Sequence, residues 1–166
     1  LDLNLHDGDM SLSDILTVLQ NSLTLLATRQ GKKLTMEIQM ETNLKTDKHY
    51  FLLSVFRNLF TNALEASTGE HVQLGFTERE QGDLIQFAIR DNGPGIPPEI
   101  LPSIFQPGFS TKINFSTGEV NRGLGLNLVE DVVKNQLQGD IRVESRPGCT
   151  TFYIQVPKTQ LEVAQQ

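Results

Sequence analysis

The sequence predicts an α/β (α+β) sandwich in which a mixed β-sheet is covered on one face by three helices. Three observations carry this prediction. Hydrophobic periodicity runs in the order helix, strand, helix, strand, strand, loop, helix, strand, strand, which suits helices laid against a sheet. A stretch from 92 to 122, rich in Gly, Pro, Ser and Asn, breaks that order without sustained periodicity of its own, and loops this long in compact domains are usually functional. The chain has 166 residues, 38% of them hydrophobic, enough for a sizeable core in a single domain.

Residues 1–10 are polar with alternating leucines and read as a linker or a strand reaching from a preceding domain. Ser11 or Ser13 can cap a first helix, in which Ile15, Leu16, Leu19, Leu23, Leu26 and Ala27 recur at helical spacing until Gly31 ends it. Leu34, Met36, Ile38 and Met40 then alternate with polar residues as a strand. A second helix is predicted from about Asp47 to Ser67, with Gly69 beyond it. Two strands, near 71–78 and 84–90, flank the turn Gln81-Gly82-Asp83 as a hairpin. After the long loop come a third helix, about 125–137, and two strands near 140–145 and 150–156 separated by Pro147-Gly148. The domain is thus expected over 11–157, with 158–166 as a C-terminal tail.

Composition narrows the function. A formal charge of −6 with scattered basic residues argues against nucleic acid, whose binding needs clustered Lys and Arg to displace counterions from phosphates. Cys149 is the only cysteine, so no internal disulfide can form and a reducing, cytoplasmic setting is expected. No apolar run approaches the roughly 20 residues of a membrane helix. The chain starts at Leu1 rather than Met, which leaves a membrane anchor elsewhere in a longer parent open.

Four short motifs follow in order: NLFTNALEA (58–66), DNGPGI (91–96), IFQPGFSTK (104–112) and RGLGL (122–126). Asn58 and Asn62 are four residues apart and share one helix face, away from Leu52, Phe56, Leu59, Phe60 and Ala63. Amide oxygens are hard ligands that suit Mg²⁺, which takes few protein ligands and completes its shell with phosphate oxygens and water. Taken alone, two asparagines on an exposed helix face are ordinary. Asp91 ends an apolar strand, and Gly93 and Gly95 let the backbone turn tightly against a ligand; a carboxylate there can accept the amino proton of adenine. An Asp-Asn-Gly turn is frequent, yet this one opens a long loop instead of a second strand. RGLGL begins the third helix, whose first amides and dipole offer an anion site, while Lys112 and Arg122 can neutralise phosphate charge. Phe105, Phe109 and Phe115 can pin the intervening segment to the body of the domain or simply pack.

Together these motifs resemble the N, G1, F and G2 boxes of the catalytic, ATP-binding domain of sensor histidine kinases, within the wider family of gyrase, heat-shock chaperone, histidine kinase and mismatch-repair ATPases. The resemblance covers about residues 11–157. It implies a Bergerat-type ATP-binding fold with a mobile lid at roughly 108–122, and the cofactors ATP and Mg²⁺. By the same resemblance Asn62 coordinates the metal, Asn58 contacts phosphate or metal-bound water, and Asp91 reads adenine. Gly95 helps hold a water near the base, and Gly123 and Gly125 bind phosphates through their amides. Gly93, Ile96, Phe105, Thr111, Lys112, Arg122, Leu124, Leu126 and Thr150 complete the implied nucleotide pocket, with Lys112 beside the two asparagines in catalysis. IFQPGFSTK looks most like the F box of kinases that sense small metabolites.

Two departures stand out. The family's last glycine box reads GxGT followed by an aromatic, whereas this chain has Pro147-Gly148-Cys149-Thr150-Thr151-Phe152, one glycine short, which puts the adenine contact of Thr150 or Thr151 in question. His6, His49 and His71 are not in the context of a phosphoacceptor, so the accepting histidine is expected on an upstream dimerisation domain, with a response regulator as the next partner. The parent would then be a homodimer and this segment a monomer. Relatives that hydrolyse ATP place a glutamate one helical turn before the metal-binding asparagine, because water needs a base; Asn58 there suits a neutral imidazole acceptor, which carries its own lone pair. Glu65, one turn later, is the strongest challenge, since it could supply a carboxylate. The alternatives are a conformational ATPase, marked by steady phosphate release, and a degenerate nucleotide-binding scaffold, marked by failure to bind an ATP analogue with Mg²⁺.

Overall fold

The computed structural model describes residues 9–107, 113–114, 119–120 and 126–162. The first helix, α1 (Leu12–Arg29), is capped by Ser11, whose side chain accepts from the Asp14 amide, and it buries Leu12, Ile15, Leu16, Leu19, Leu23 and Ala27. Gly31 turns the chain at φ +71° into strand β2 (Lys33–Met40). Helix α2 (His49–Ala66) starts two residues later than Asp47 and buries Leu52, Val55, Phe56, Leu59, Phe60, Ala63 and Leu64. Before it, Thr46 Oγ1 accepts from the Lys48 amide at 2.9 Å, which holds the chain in a turn where the helix was expected to have begun.

The hairpin is present as β4 (His71–Gln81) and β5 (Leu84–Asp91), longer than the alternation suggested. With β2, β8 (Asp140–Arg146) and β9 (Cys149–Pro157) they form a five-stranded sheet in the order β2-β4-β5-β9-β8. β2 pairs with β4 in parallel and every other pairing is antiparallel, so the sheet is mixed. Val72, Leu74, Phe76, Ile85, Phe87, Ile89, Ile154 and Val156 point from it into the core beneath the helices.

Three features were not foreseen in the sequence: a pair of very short strands, a π-helical turn and a helix that opens the C-terminal segment. Two-residue strands β1 (Met10–Ser11) and β3 (Lys45–Thr46) pair antiparallel; they are too short to leave a pattern. Residues 1–8 of the expected linker lie outside the described residues, while Met10 pairs with Thr46. The third helix is α-helical only over α3 (Leu126–Asp131) and continues as a π-helical turn over Val132–Gln136. Val129, Val133 and Leu137 are all buried at four-residue spacing, and a wider turn takes up the drift that this spacing accumulates at 3.6 residues per turn. The segment read as a tail opens with the short helix α4 (Lys158–Leu161), whose Leu161 is fully buried, and Glu162 bridges to Thr46.

Inside the long loop, Leu101–Ser103 is a 3₁₀ turn, and strands β6 (Ile113–Asn114) and β7 (Glu119–Val120) pair antiparallel. Among the described residues, no helix is long and apolar enough to cross a membrane.

Candidate functional site

Helix α2 is fixed by aromatic packing. Phe56 meets Phe76 edge-on at 5.1 Å and Phe87 at 5.2 Å, which clamps the helix to β4 and β5. At its C-terminal end, Lys32 Nζ donates to the carbonyls of Leu64 (2.7 Å) and Ser67 (3.0 Å), meeting helix-end acceptors with a cation. With the buried face so held, Asn58 and Asn62 are both half-buried. Asn58 Nδ2 donates to Ser54 O at 2.8 Å, so the oxygen is the end of that amide left for a ligand. Among the described residues, Asn62 Nδ2 is a buried side-chain donor with no hydrogen-bond partner. A buried donor without a protein partner calls for one from water or a ligand. Beside Asn58 lies a hollow of about 590 Å³, lined by Tyr50, Leu53, Ser54, Arg57 and Thr61.

The second half of the site is built at the end of β5. Asp91 sits in register between Leu74 of β4 and Thr150 of β9. Its Oδ1 accepts from the Gly93 amide at 2.8 Å. Burial pushes its carboxyl above the usual aspartate range, and that amide partly offsets the push. Gly95 has φ +88°, and a Cβ there would come within 2.7 Å of the Arg146 carbonyl oxygen, so this position needs glycine on both counts. Around it the loop is stapled to the β8–β9 turn: the Gly148 amide donates to Gly93 O at 2.9 Å and the Ile96 amide to Ser145 Oγ at 2.8 Å. Asn92, which the sequence reading did not single out, accepts from the Gln73 amide at 3.0 Å, so the middle residue of Asp-Asn-Gly anchors the loop to β4.

The shortened glycine box keeps its hydroxyl. Thr150 is 4% exposed, pairs with Asp91, and lies 2.6 Å from Ser145 Oγ through its own Oγ1. Thr151 falls one residue on and therefore faces the other side of the sheet, where it lines a separate trough with Gly75, Ala88 and Arg90. Strand alternation thus separates two threonines that the sequence left equivalent.

The structure brings Asp91, Gly93, Gly95, Ile96 and Thr150 together. Phe105 packs edge-on against Phe152 at 6.3 Å, which accounts for it as packing. Leu126 is buried, so its side chain belongs to the core and only its backbone can face a ligand. Thr111, Lys112, Arg122, Gly123, Leu124 and Gly125 lie outside the described residues, as do Phe109 and Phe115 and most of the expected lid. Ser145 and Lys32 were missed; a serine before a turn and a lysine after a helix carry no distinctive pattern.

The described residues contain no group of three or more His, Cys, Asp or Glu able to hold a metal. An amide oxygen such as that of Asn62 suits Mg²⁺ bound together with substrate phosphates, while its unpartnered Nδ2 is a donor and not a metal ligand.

Comparison with known proteins bears on this geometry. A family model described as histidine kinase-, DNA gyrase B-, and HSP90-like ATPase matches residues 47–160. The sensor histidine kinase GlnK of Bacillus subtilis is 29% identical over 92% of this chain and 37% of its own length. The sensor histidine kinase DcuS of Escherichia coli K12 is 36% identical over 75% of this chain and 22% of its own. The chain therefore spans well under half of each of these relatives. The nucleotide-free catalytic domain of histidine kinase ThkA superposes with a TM-score of 0.71 at 24% identity, covering 90% of this chain and 94% of that one. ThkA has also been solved in complex with the response regulator TrrA, with a TM-score of 0.69 at 23% identity over 92% of this chain and 42% of that one.

Proposed function

Since the chain belongs to the histidine kinase-, DNA gyrase B-, and HSP90-like ATPase family, in its sensor histidine kinase branch, we propose that it binds Mg-ATP and delivers the γ-phosphate to a histidine on an upstream dimerisation domain. The observation that carries this reading is the pairing of Asp91 with Thr150. It sets a carboxylate and a hydroxyl side by side at the end of the sheet, beside a loop whose glycines are pressed against the neighbouring turn.

In this reading Asp91 accepts the exocyclic amino proton of adenine through the oxygen not engaged by Gly93, and Thr150 contacts the ring beside it. Asn62 holds the metal through its amide oxygen, and Asn58, whose nitrogen is engaged by Ser54 O, offers its own oxygen to phosphate or to metal-bound water. Magnesium, when bound, would neutralise charge on the triphosphate. Lys112 and Arg122 add charge, and the amides of Gly123 and Gly125 hold phosphate oxygens. Phosphoryl transfer of this kind needs mainly positioning and electrostatic stabilisation, and the aromatic clamp on α2 supports the first of these. Asn58 cannot act as a base, and a neutral imidazole, which attacks through its own lone pair, needs less activation than water, giving up its N–H proton to solvent afterwards. The parent is then a homodimer that passes phosphate to a response regulator.

The test is to incubate the natural protein, with its upstream residues, with γ-labelled ATP and Mg²⁺. Protein-bound label stable to alkali, lost in acid and absent from Asn62→Ala supports the kinase. Continuous phosphate release without label would instead establish a conformational ATPase, and neither would leave a nucleotide-binding scaffold.

A further inference from the structure

Ser145 sits on β8 directly opposite Thr150 of β9, half-buried, on the same side of the sheet as Asp91. A serine hydroxyl has one proton and two lone pairs. One lone pair receives the Ile96 amide proton at 2.8 Å. The remaining contact is the 2.6 Å approach to Thr150 Oγ1, in which either oxygen can be the donor. A hydroxyl that already accepts a hydrogen bond is polarised into a better donor, so the cooperative order runs from the Ile96 amide to Ser145 and from Ser145 to Thr150. The Thr150 proton is then left to point away from Ser145.

We propose that Ser145 is a positioning residue: by donating to Thr150 it turns the Thr150 proton toward an acceptor atom of the bound base. This rests on the reading of the site as an adenine-nucleotide pocket. Asp91 is an acceptor and Thr150, so oriented, a donor, on adjacent strands in register. Adenine shows the complementary pair, an amino donor next to the N1 acceptor. Ser145 therefore acts on base recognition without touching the base. It also couples recognition to the loop, because the Ile96 amide that polarises it lies immediately after Gly95, against the β8–β9 turn.

Titration calorimetry of Ser145→Ala and the unsubstituted protein, with ATP and with 1-deaza-ATP, which has a C–H in place of N1, tests this. The unsubstituted protein should prefer ATP. Ser145→Ala should lose roughly three- to tenfold in ATP affinity, the size of one neutral hydrogen bond, with little change for 1-deaza-ATP. Thr150→Val should erase the same preference, and adding Ser145→Ala to it should change nothing further. If Ser145→Ala does not fold, Ser145→Cys, close in shape with a weaker donor, carries the same comparison. Equal losses for both nucleotides, or no loss for either, would overturn the role of Ser145 while leaving the pocket intact. Failure of the unsubstituted protein to bind ATP would remove the pocket itself.

Discussion

Replacing Asp91 with asparagine inverts one hydrogen-bonding position while keeping its shape. Oδ1 already accepts from the Gly93 amide at 2.8 Å, so the asparagine oxygen keeps that place and its NH₂ takes the position of the other carboxylate oxygen. A donor then faces the amino group of adenine. Loss of a charge-assisted hydrogen bond is worth about 1.5–3 kcal/mol, so ATP should bind roughly 10- to 150-fold more weakly. GTP, which presents an acceptor at the corresponding ring position, should lose far less. Calorimetric titration of both nucleotides measures the difference, and equal losses would refute the assignment of Asp91 as base reader. Stability adds an independent check. The folded-state pKa of Asp91 is raised by burial, so its contribution to stability is fully present below the unfolded pKa and is lost as pH rises through the folded one. The asparagine side chain has nothing to ionise. The Tm of Asp91→Asn relative to the unsubstituted protein should therefore climb as pH rises from about 4 and level off above the folded pKa. A gap that shrinks over that range would contradict the burial argument.

Asn62→Ala should abolish the Mg²⁺-dependent part of ATP binding, and the Tm should barely move, since the lost amide leaves no partner unpaired among the described residues; titration with and without Mg²⁺, alongside a thermal melt, reads both. Gly95→Ala should cost on the order of 1–3 kcal/mol in denaturant unfolding, because alanine is strained at φ +88° and its methyl meets the Arg146 carbonyl. A near-neutral change there would mean that the loop and the β8–β9 turn separate easily.

Long elements were legible because burial repeats along them. The first helix shows six buried apolar residues at helical spacing, and β5 shows strict alternation, so pattern alone places both. The asparagines of α2 could be read as facing away from the core because the face opposite them is apolar. What stayed hidden depends on relations between distant segments. That Thr150 and not Thr151 faces Asp91 follows from strand register across 59 residues, and the staple from Ile96 to Ser145 spans 49. The π-helical turn was hidden for a different reason. Its buried residues fit an α-helix nearly as well, and the two are separated by hydrogen bonding such as that from the Leu137 amide to Val132 O.

The strand order has a consequence for how the domain is made. β9 is the last strand of the sheet to be synthesised, yet it lies between β5 and β8. Until it emerges from the ribosome, β8 has no neighbour in the sheet and β5 ends in an open edge carrying Asp91. Only β2, β4 and β5 can assemble early, with α1 and α2 over them. Thr150 arrives with the strand that closes the sheet, so under the proposed function the adenine pocket is completed only at that step. A nascent chain stalled before Cys149 should be as sensitive to protease with ATP as without it.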